Sequence, residues 1–316
     1  MEKEEAVSII SRCAVLAGLI EVSASPKPGN VHRFRDFCNT RFEHFLASNI
    51  ALEPFYREAA ELGYILSLGE IGFEDIRIGK LIFESSKEMF QWQSGGNVSL
   101  GIILLFIPLT VAAGYVYRKG RIVIKELRNV LRNIISNTYS EDVIFVFNAI
   151  RGSMNEKTLG QVNEFDVNDE NALEMINKNN LNLKEIFKLC EKRDMICHEW
   201  TSDFDITFNH SYPYLKKQIS NNTNINTATI NTFLYILSEY PDSLIIRKSG
   251  IEKAKLITEK SREILEVGGY STDVGQEMVR DLDNELHKEK GMLNPGTSAD
   301  LTASSIFLLL LEGWRP

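Results

Sequence analysis

The sequence predicts an all-α chain, one large helical domain over residues 1–316 wrapped around a central apolar helix. Three observations carry this. The segment Glu5 to Ala24 places Ala6, Val7, Ile9, Ile10, Cys13, Leu16, Ala17 and Ile20 at helical spacing, a wide stripe to bury. Val98 to Tyr117 reads VSLGIILLFIPLTVAAGYVY, without a charge. A helix apolar all round is either a membrane span or the core of a large soluble domain. Gly101, Pro108, Ser99 and Thr110, with a mean hydropathy of −0.14 over the chain, favour the core and argue against a membrane role. Finally, few segments show the alternation that a half-buried strand needs.

The remaining elements follow in order. Ser25-Pro26-Lys27-Pro28-Gly29 breaks the first helix, because each proline disfavours helix at the residue before it. Helical patterning resumes at Phe42 and runs towards Leu62, then covers Ile76 to Phe90 and Ser99 to Val116. Lys125 to Ser136, Glu141 to Ile150, Leu183 to Glu199 and Ile225 to Leu237 read the same way, as do Glu252 to Glu266 and Gly275 to Glu289. Ala299 to Glu312 ends the series with a core run of Ile306 to Leu311. Asn155 to Asn182 and the Asn/Thr-rich Asn221 to Asn231 read as solvated surface insertions.

Composition narrows the function. With 44% hydrophobic and 25% charged residues the chain is neither disordered nor a stapled miniprotein. Acidic residues outnumber basic ones 43 to 35, for a net charge of −8, which disfavours nucleic acid as a partner. An anionic substrate then needs a local Lys/Arg cluster or a bound cation. The start Met1-Glu2-Lys3-Glu4-Glu5 lacks a signal-peptide pattern, and the four cysteines are scattered; the expectation is a cytoplasmic protein with reduced thiols. Cys190 and Cys197 are seven apart, too wide for a usual zinc pair, and read as buried core thiols.

Standard phosphate loops and hydrolase motifs are absent, which leaves polar clusters at helix junctions. The first, SPKPGNVHR, presents Lys27 and Arg33 from a stiff turn suited to phosphate, or is a structural turn with exposed charges. In PDSLIIRKSG, Arg247 and Lys248 with Asp242 suit an oligophosphate and a divalent cation; a helix C-terminus with its terminating glycine explains them equally. In NPGTSADLT, Thr297 or Ser298 can cap a helix with Asp300 in its first turn, a setting that also receives anions. Asp194 and His198 share a face in RDMICHEW, with Glu199 about 140° from Asp194, a pattern that a surface salt bridge explains as well. Asn97 of Gly95-Gly96-Asn97 is a plausible cap for the apolar helix.

In this order SPKPG, RFEHFLAS, GGN, RDMICHEW, PDSLIIRKSG and NPGTSADLTAS resemble the triphosphoribosyl-dephospho-CoA synthase family over nearly the whole chain. The resemblance implies an all-helical transferase that moves the 5-triphosphoribosyl group of ATP to the 2′-hydroxyl of dephospho-CoA, releasing adenine with Mg²⁺ as cofactor. Carried over by position, Lys27, Arg247 and Lys248 bind phosphate, with Arg33, Asn97 and Thr297 as further substrate contacts. Glu43, Asp194 and Glu199 supply the catalytic carboxylates, and Asp242 and Asp300 the metal ligands. Asn30-Val31-His32 stands where bacterial members read LVD, and Asn97-Val98-Ser99 where they read N-T-H. These departures motivate two other readings: a related transferase or hydrolase with a different acceptor, and a non-catalytic nucleotide-binding protein. A homo-oligomer is compatible with all three.

Overall fold

A computed structural model describes residues 2–117, 122–153 and 170–316, and among these every regular element is helical. Helix α1 (Glu2–Ser23) is long and apolar enough to cross a bilayer, yet most of its apolar window is buried within the fold. α2 (Phe42–Ala51) and α3 (Glu53–Ser67) divide what the sequence reads as one helix. The break is local: Pro54 sits in the first turn of α3, where its missing N–H and fixed φ suit a helix start. α4 (Ile78–Trp92) leads to α5 (Leu100–Val116), nearly every side chain of which is buried.

α5 is the axis. α3 lies along it at close range, since a Cβ at Gly63 or Gly114 would collide with a backbone carbonyl of the other helix. α6 (Ile124–Ser136) covers another flank, α7 (Ser140–Ser153) packs on α4, and α8 (Glu170–Asn179) packs on α7. The tract beginning at Asn155 thus lies partly outside the described residues, and its later part is helical.

Leu183 to Glu199 is two helices, α9 (Leu183–Lys188) and α10 (Met195–Thr201), joined by a turn. The turn brings the Cys190 and Cys197 Cα atoms to 5.8 Å and the pair is a disulfide, not two core thiols. Sequence spacing alone does not reveal a reversal between them. The pairing also removes one ground for expecting a reducing compartment. A single π-helical turn, Ile206–Ser211, then feeds α11 (Tyr212–Ser220).

α12 (Ile225–Glu239) corrects the reading of Asn221 to Asn231 as a surface insertion. Asn224 caps the helix through Thr227 N, while Thr227, Thr229 and Asn231 are buried. Asn226 clamps both backbone groups of Ser25, fixing the Pro/Gly turn after α1. α13 (Ser243–Ser249), α14 (Ile251–Glu266) and α15 (Asp273–Lys288) enclose a second apolar cluster with α12. α16 (Gly296–Leu311) returns to the centre, where Phe307 stacks on Phe106 of α5 at 4.8 Å between ring centroids. It begins before Thr297 and Ser298, so neither caps it by side chain.

Candidate active site

Where the N-terminus of α5 meets α1, α10, α13 and α16, a cleft of roughly 1200 Å³ opens. Its walls are of two kinds. Leu100, Ile102 and Leu104 of α5, with Phe147, Phe187 and Ile196, form an apolar side. Glu21, Arg35, Asp194, Arg247, Lys248 and Asp300 form a polar one.

Helix starts position several of these groups. Asp194 caps α10, its Oδ1 accepting from Ile196 N at 2.9 Å and Cys197 N at 3.2 Å. Its Oδ2 accepts from Arg247 Nη1. Asp242 caps α13 in the same manner, Oδ1 accepting from Leu244 N and Ile245 N. Its Oδ2 accepts from both Ser298 N and Ser298 Oγ at 2.8 Å, which ties α13 to α16. Ser243 Oγ donates to Thr297 Oγ1 at 3.0 Å and accepts from Met195 N, linking three helix starts in one chain. Asn97 Oδ1 accepts from Leu100 N at the start of α5.

Electrostatics concentrate around Asp300. Burial, then the negative charges of Glu21 and Asp242, push its carboxyl well above the usual range; Lys27 and Arg247 oppose the rise. Burial raises Glu21 too, against the Lys27 ammonium, which donates to the Glu21 carboxylate and backbone carbonyl. The Asp300 carboxylate receives no hydrogen bond from a described residue, although its backbone carbonyl accepts from Ser304 Oγ. It approaches α5 so closely that a Cβ on Gly101 would lie 1.9 Å from its Oδ2. Lys248 donates to Gly291 O at 3.0 Å, and burial beside Arg247 lowers its pKa.

The structure brings Asn97, Asp194, Arg247, Lys248, Thr297 and Asp300 to one cleft. Five other candidates lie off its walls. Lys27 is buried behind Glu21. Arg33 points to solvent, and Arg35, two residues on, lines the cleft in its place, held by Asp283 at 2.9 Å. Glu43 is exposed on α2. Glu199 is buried beneath α10, accepting from Ile206 N and Thr207 N, so its carboxylate shapes the reversal into the π turn. Asp242 has two donors on each oxygen and no lone pair directed at a metal.

Sequence reading misses Glu21, Arg35 and His287, all on the wall. Glu21 had a signal: it falls four residues after Ala17, on the buried stripe of α1, where a carboxylate needs a reason. Arg35 and His287 had none: Asp283 sits one turn before His287, but the contact that brings the pair to Arg35 spans most of the chain.

Residues 8–316 match the profile of the ATP:dephospho-CoA triphosphoribosyl transferase family. The chain is 26% identical over 312 residues to a probable 2-(5''-triphosphoribosyl)-3'-dephosphocoenzyme-A synthase of Streptococcus pyogenes serotype M18, covering 96% of each. A serotype M3 counterpart is 25% identical with the same coverage. A crystal structure from Archaeoglobus fulgidus, of a protein provisionally named triphosphoribosyl-dephospho-CoA synthase, superposes with a TM-score of 0.63 at 29% identity. It covers 85% of this chain and 100% of its own. With the family profile matched over residues 8–316, the chain belongs to the ATP:dephospho-CoA triphosphoribosyl transferase family of enzymes.

Proposed function

We propose that this chain transfers the 5-triphosphoribosyl group of ATP to the 2′-hydroxyl of dephospho-CoA, with Mg²⁺ as cofactor and adenine as leaving group. The observation that carries it is the two-sided cleft: Arg35, Arg247 and Lys248 line it together with Asp300, whose carboxylate has no hydrogen-bond partner among the described residues, and apolar side chains form the rest of the wall. The basic groups match phosphates, and Arg247 offers a planar fork for them. The apolar wall suits the pantetheine arm of the acceptor, which is largely aliphatic and amide.

The residues fit Mg²⁺ in one place. Asp300 lacks a hydrogen-bond donor and is crowded by negative charge, so a cation relieves its environment; Glu21 is the second oxygen donor on the same wall. Asp242 does not fit, being saturated. Asp300 and Glu21 would hold Mg²⁺ there, and the ion would supply charge neutralisation for the triphosphate.

The chain's own groups do the rest. Arg247 and Lys248 hold the donor's phosphates, so that C1′ is presented to the acceptor in a fixed orientation. Cleavage of the C1′–N9 bond builds positive charge on the ribose, and the carboxylates of Asp300 and Glu21 oppose it electrostatically. The apolar wall excludes water, which would otherwise compete with the acceptor hydroxyl.

Adenine release from ATP with Mg²⁺, followed by chromatography with and without dephospho-CoA, tests the reading. Adenine that requires both Mg²⁺ and acceptor supports it. Equal release without acceptor would make the protein a hydrolase, and no release from folded protein would remove the activity altogether.

A further inference from the structure

Among the described residues, four buried polar atoms on the cleft wall lack a hydrogen-bond partner: Ser153 Oγ, Arg247 Nε, His287 Nε2 and Asn294 Oδ1. A buried polar atom without a partner inside the protein is unusual, and a wall carrying several is built for a polar ligand. His287 is distinguished by what lies behind it.

One turn earlier on α15, Asp283 Oδ1 lies 2.9 Å from His287 Nδ1, and the Asp283 carbonyl lies 3.1 Å from the same nitrogen. Both are acceptors, so Nδ1 carries the proton and Nε2 keeps its lone pair. Asp283 is itself fixed from the other side. Its oxygens accept from Gly29 N at 3.0 Å, Arg35 Nη1 at 2.9 Å and His32 Nε2 at 3.4 Å. Burial would raise this carboxyl, but hydrogen bonds from His287 and His32, with their charge whenever the rings are protonated, outweigh it and hold Asp283 well below the usual range. Phe37 stacks on the imidazole at 5.0 Å, and His32 meets it edge-on at 6.2 Å. The titratable and charged groups facing the ring are therefore Asp283, His32 and Arg35, with Lys290 further along the wall.

A base whose far nitrogen is oriented by a buried carboxylate, with its other nitrogen buried and unpaired in a residue of the cleft lining, is the arrangement that activates hydroxyl nucleophiles once the substrate reaches it. We propose that His287, oriented by Asp283, is the general base that takes the proton from the acceptor's hydroxyl. The oxygen bonds to C1′ as the C1′–N9 bond breaks, and the hydroxyl proton passes to His287 Nε2. The electron pair of the broken bond leaves with adenine, which takes up one proton; His287 returns one to solvent, so the protons balance. Asp283 acts through His287 and is a positioning residue. The inference rests on the transferase reading above.

The test is acceptor-dependent adenine release by His287→Gln, which keeps polarity and size but does not titrate. The expected result is a loss of about 100-fold in kcat, an ATP KM within about twofold of wild type, and disappearance of the acid limb of the kcat/KM profile. A variant within about threefold of wild type, with the acid limb intact, overturns the proposal. A second measurement does not depend on turnover or on the variant's yield. The chain has only five histidines, so the His287 Cε1–H resonance, identified by its absence in His287→Gln or His287→Asn, can be followed while dephospho-CoA is added to wild type. Movement of that line places His287 at the acceptor. Movement without adenine formation sinks the transferase reading and leaves His287 in the acceptor site. A line that stays fixed under saturating, calorimetrically verified dephospho-CoA overturns the proposal whatever the activity.

Discussion

Arg247 donates to Asp194 across the gap between α13 and α10, while the other oxygen of Asp194 caps α10. One carboxylate thus sets the start of a helix and aims a guanidinium along the cleft wall. Among the described residues, Arg247 Nε remains without a partner. The pair is only about one-fifth exposed, with side chains at 21% and 18%, so solvent screens it partly rather than fully.

Separating the two duties of Asp194 gives the first prediction. Asp194→Asn keeps a cap-competent side chain and loses the charge, so stability falls by less than about 1 kcal/mol. Arg247→Lys removes the fork and raises the ATP KM about tenfold, a difference of about 1.4 kcal/mol. Thermal melts and steady-state kinetics check both; an unchanged KM in Arg247→Lys would take Arg247 out of phosphate binding.

Asp242 is a fold residue in this structure, whatever its neighbours suggest. Asp242→Ala removes the α13 cap and strands the buried Ser298 N–H, for a loss of about 3 kcal/mol. Urea midpoints measure this directly. Calorimetric Mg·ATP titration of Asp242→Asn should still show binding; a stable variant that no longer binds Mg·ATP would restore Asp242 as a metal ligand.

Glu199 makes stability depend on pH. Burial, against hydrogen bonds from Thr207 and Ile206, pushes its pKa from an ordinary 4.5 to about 7. A folded-state pKa above the unfolded one means the protonated form favours folding. This contribution is fully present below about pH 4.5 and is lost as pH rises through 7, by about 3 kcal/mol in total. Denaturant unfolding between pH 5 and pH 8 should show wild type losing stability and Glu199→Gln losing much less. Parallel curves would mean that Glu199 stays ionised throughout.

What the sequence carries and what it hides divide along physical lines. α5 and α16 are legible because burial on all sides leaves an uninterrupted apolar run. Asn221 to Asn231 misleads because polar side chains satisfied inside a helix bundle look, in sequence, like solvated ones, although the helix from Ile225 is legible. Asp194, Arg247, Lys248, Thr297 and Asp300 are legible because helix-junction motifs stay local. The Cys190–Cys197 bond and the Arg35–Asp283–His287 group are not, because each depends on a chain reversal or a long-range contact.

Gly101 offers a test of Asp300 that leaves its chemistry untouched. A methyl group at that position would sit 1.9 Å from Asp300 Oδ2, far inside contact distance, and the carboxylate would have to turn away from α5. Alanine is otherwise the better helix former, by up to about 1 kcal/mol, so the helix itself is not weakened. Gly101→Ala should therefore melt within a few degrees of wild type while adenine release falls at least about tenfold and the Mg²⁺ concentration for half-maximal rate rises. Asp300→Asn should show the same kinetic loss without the steric change. If Gly101→Ala keeps wild-type kinetics, the position of the Asp300 carboxylate does not matter to the reaction, and its role as a cation ligand fails with it.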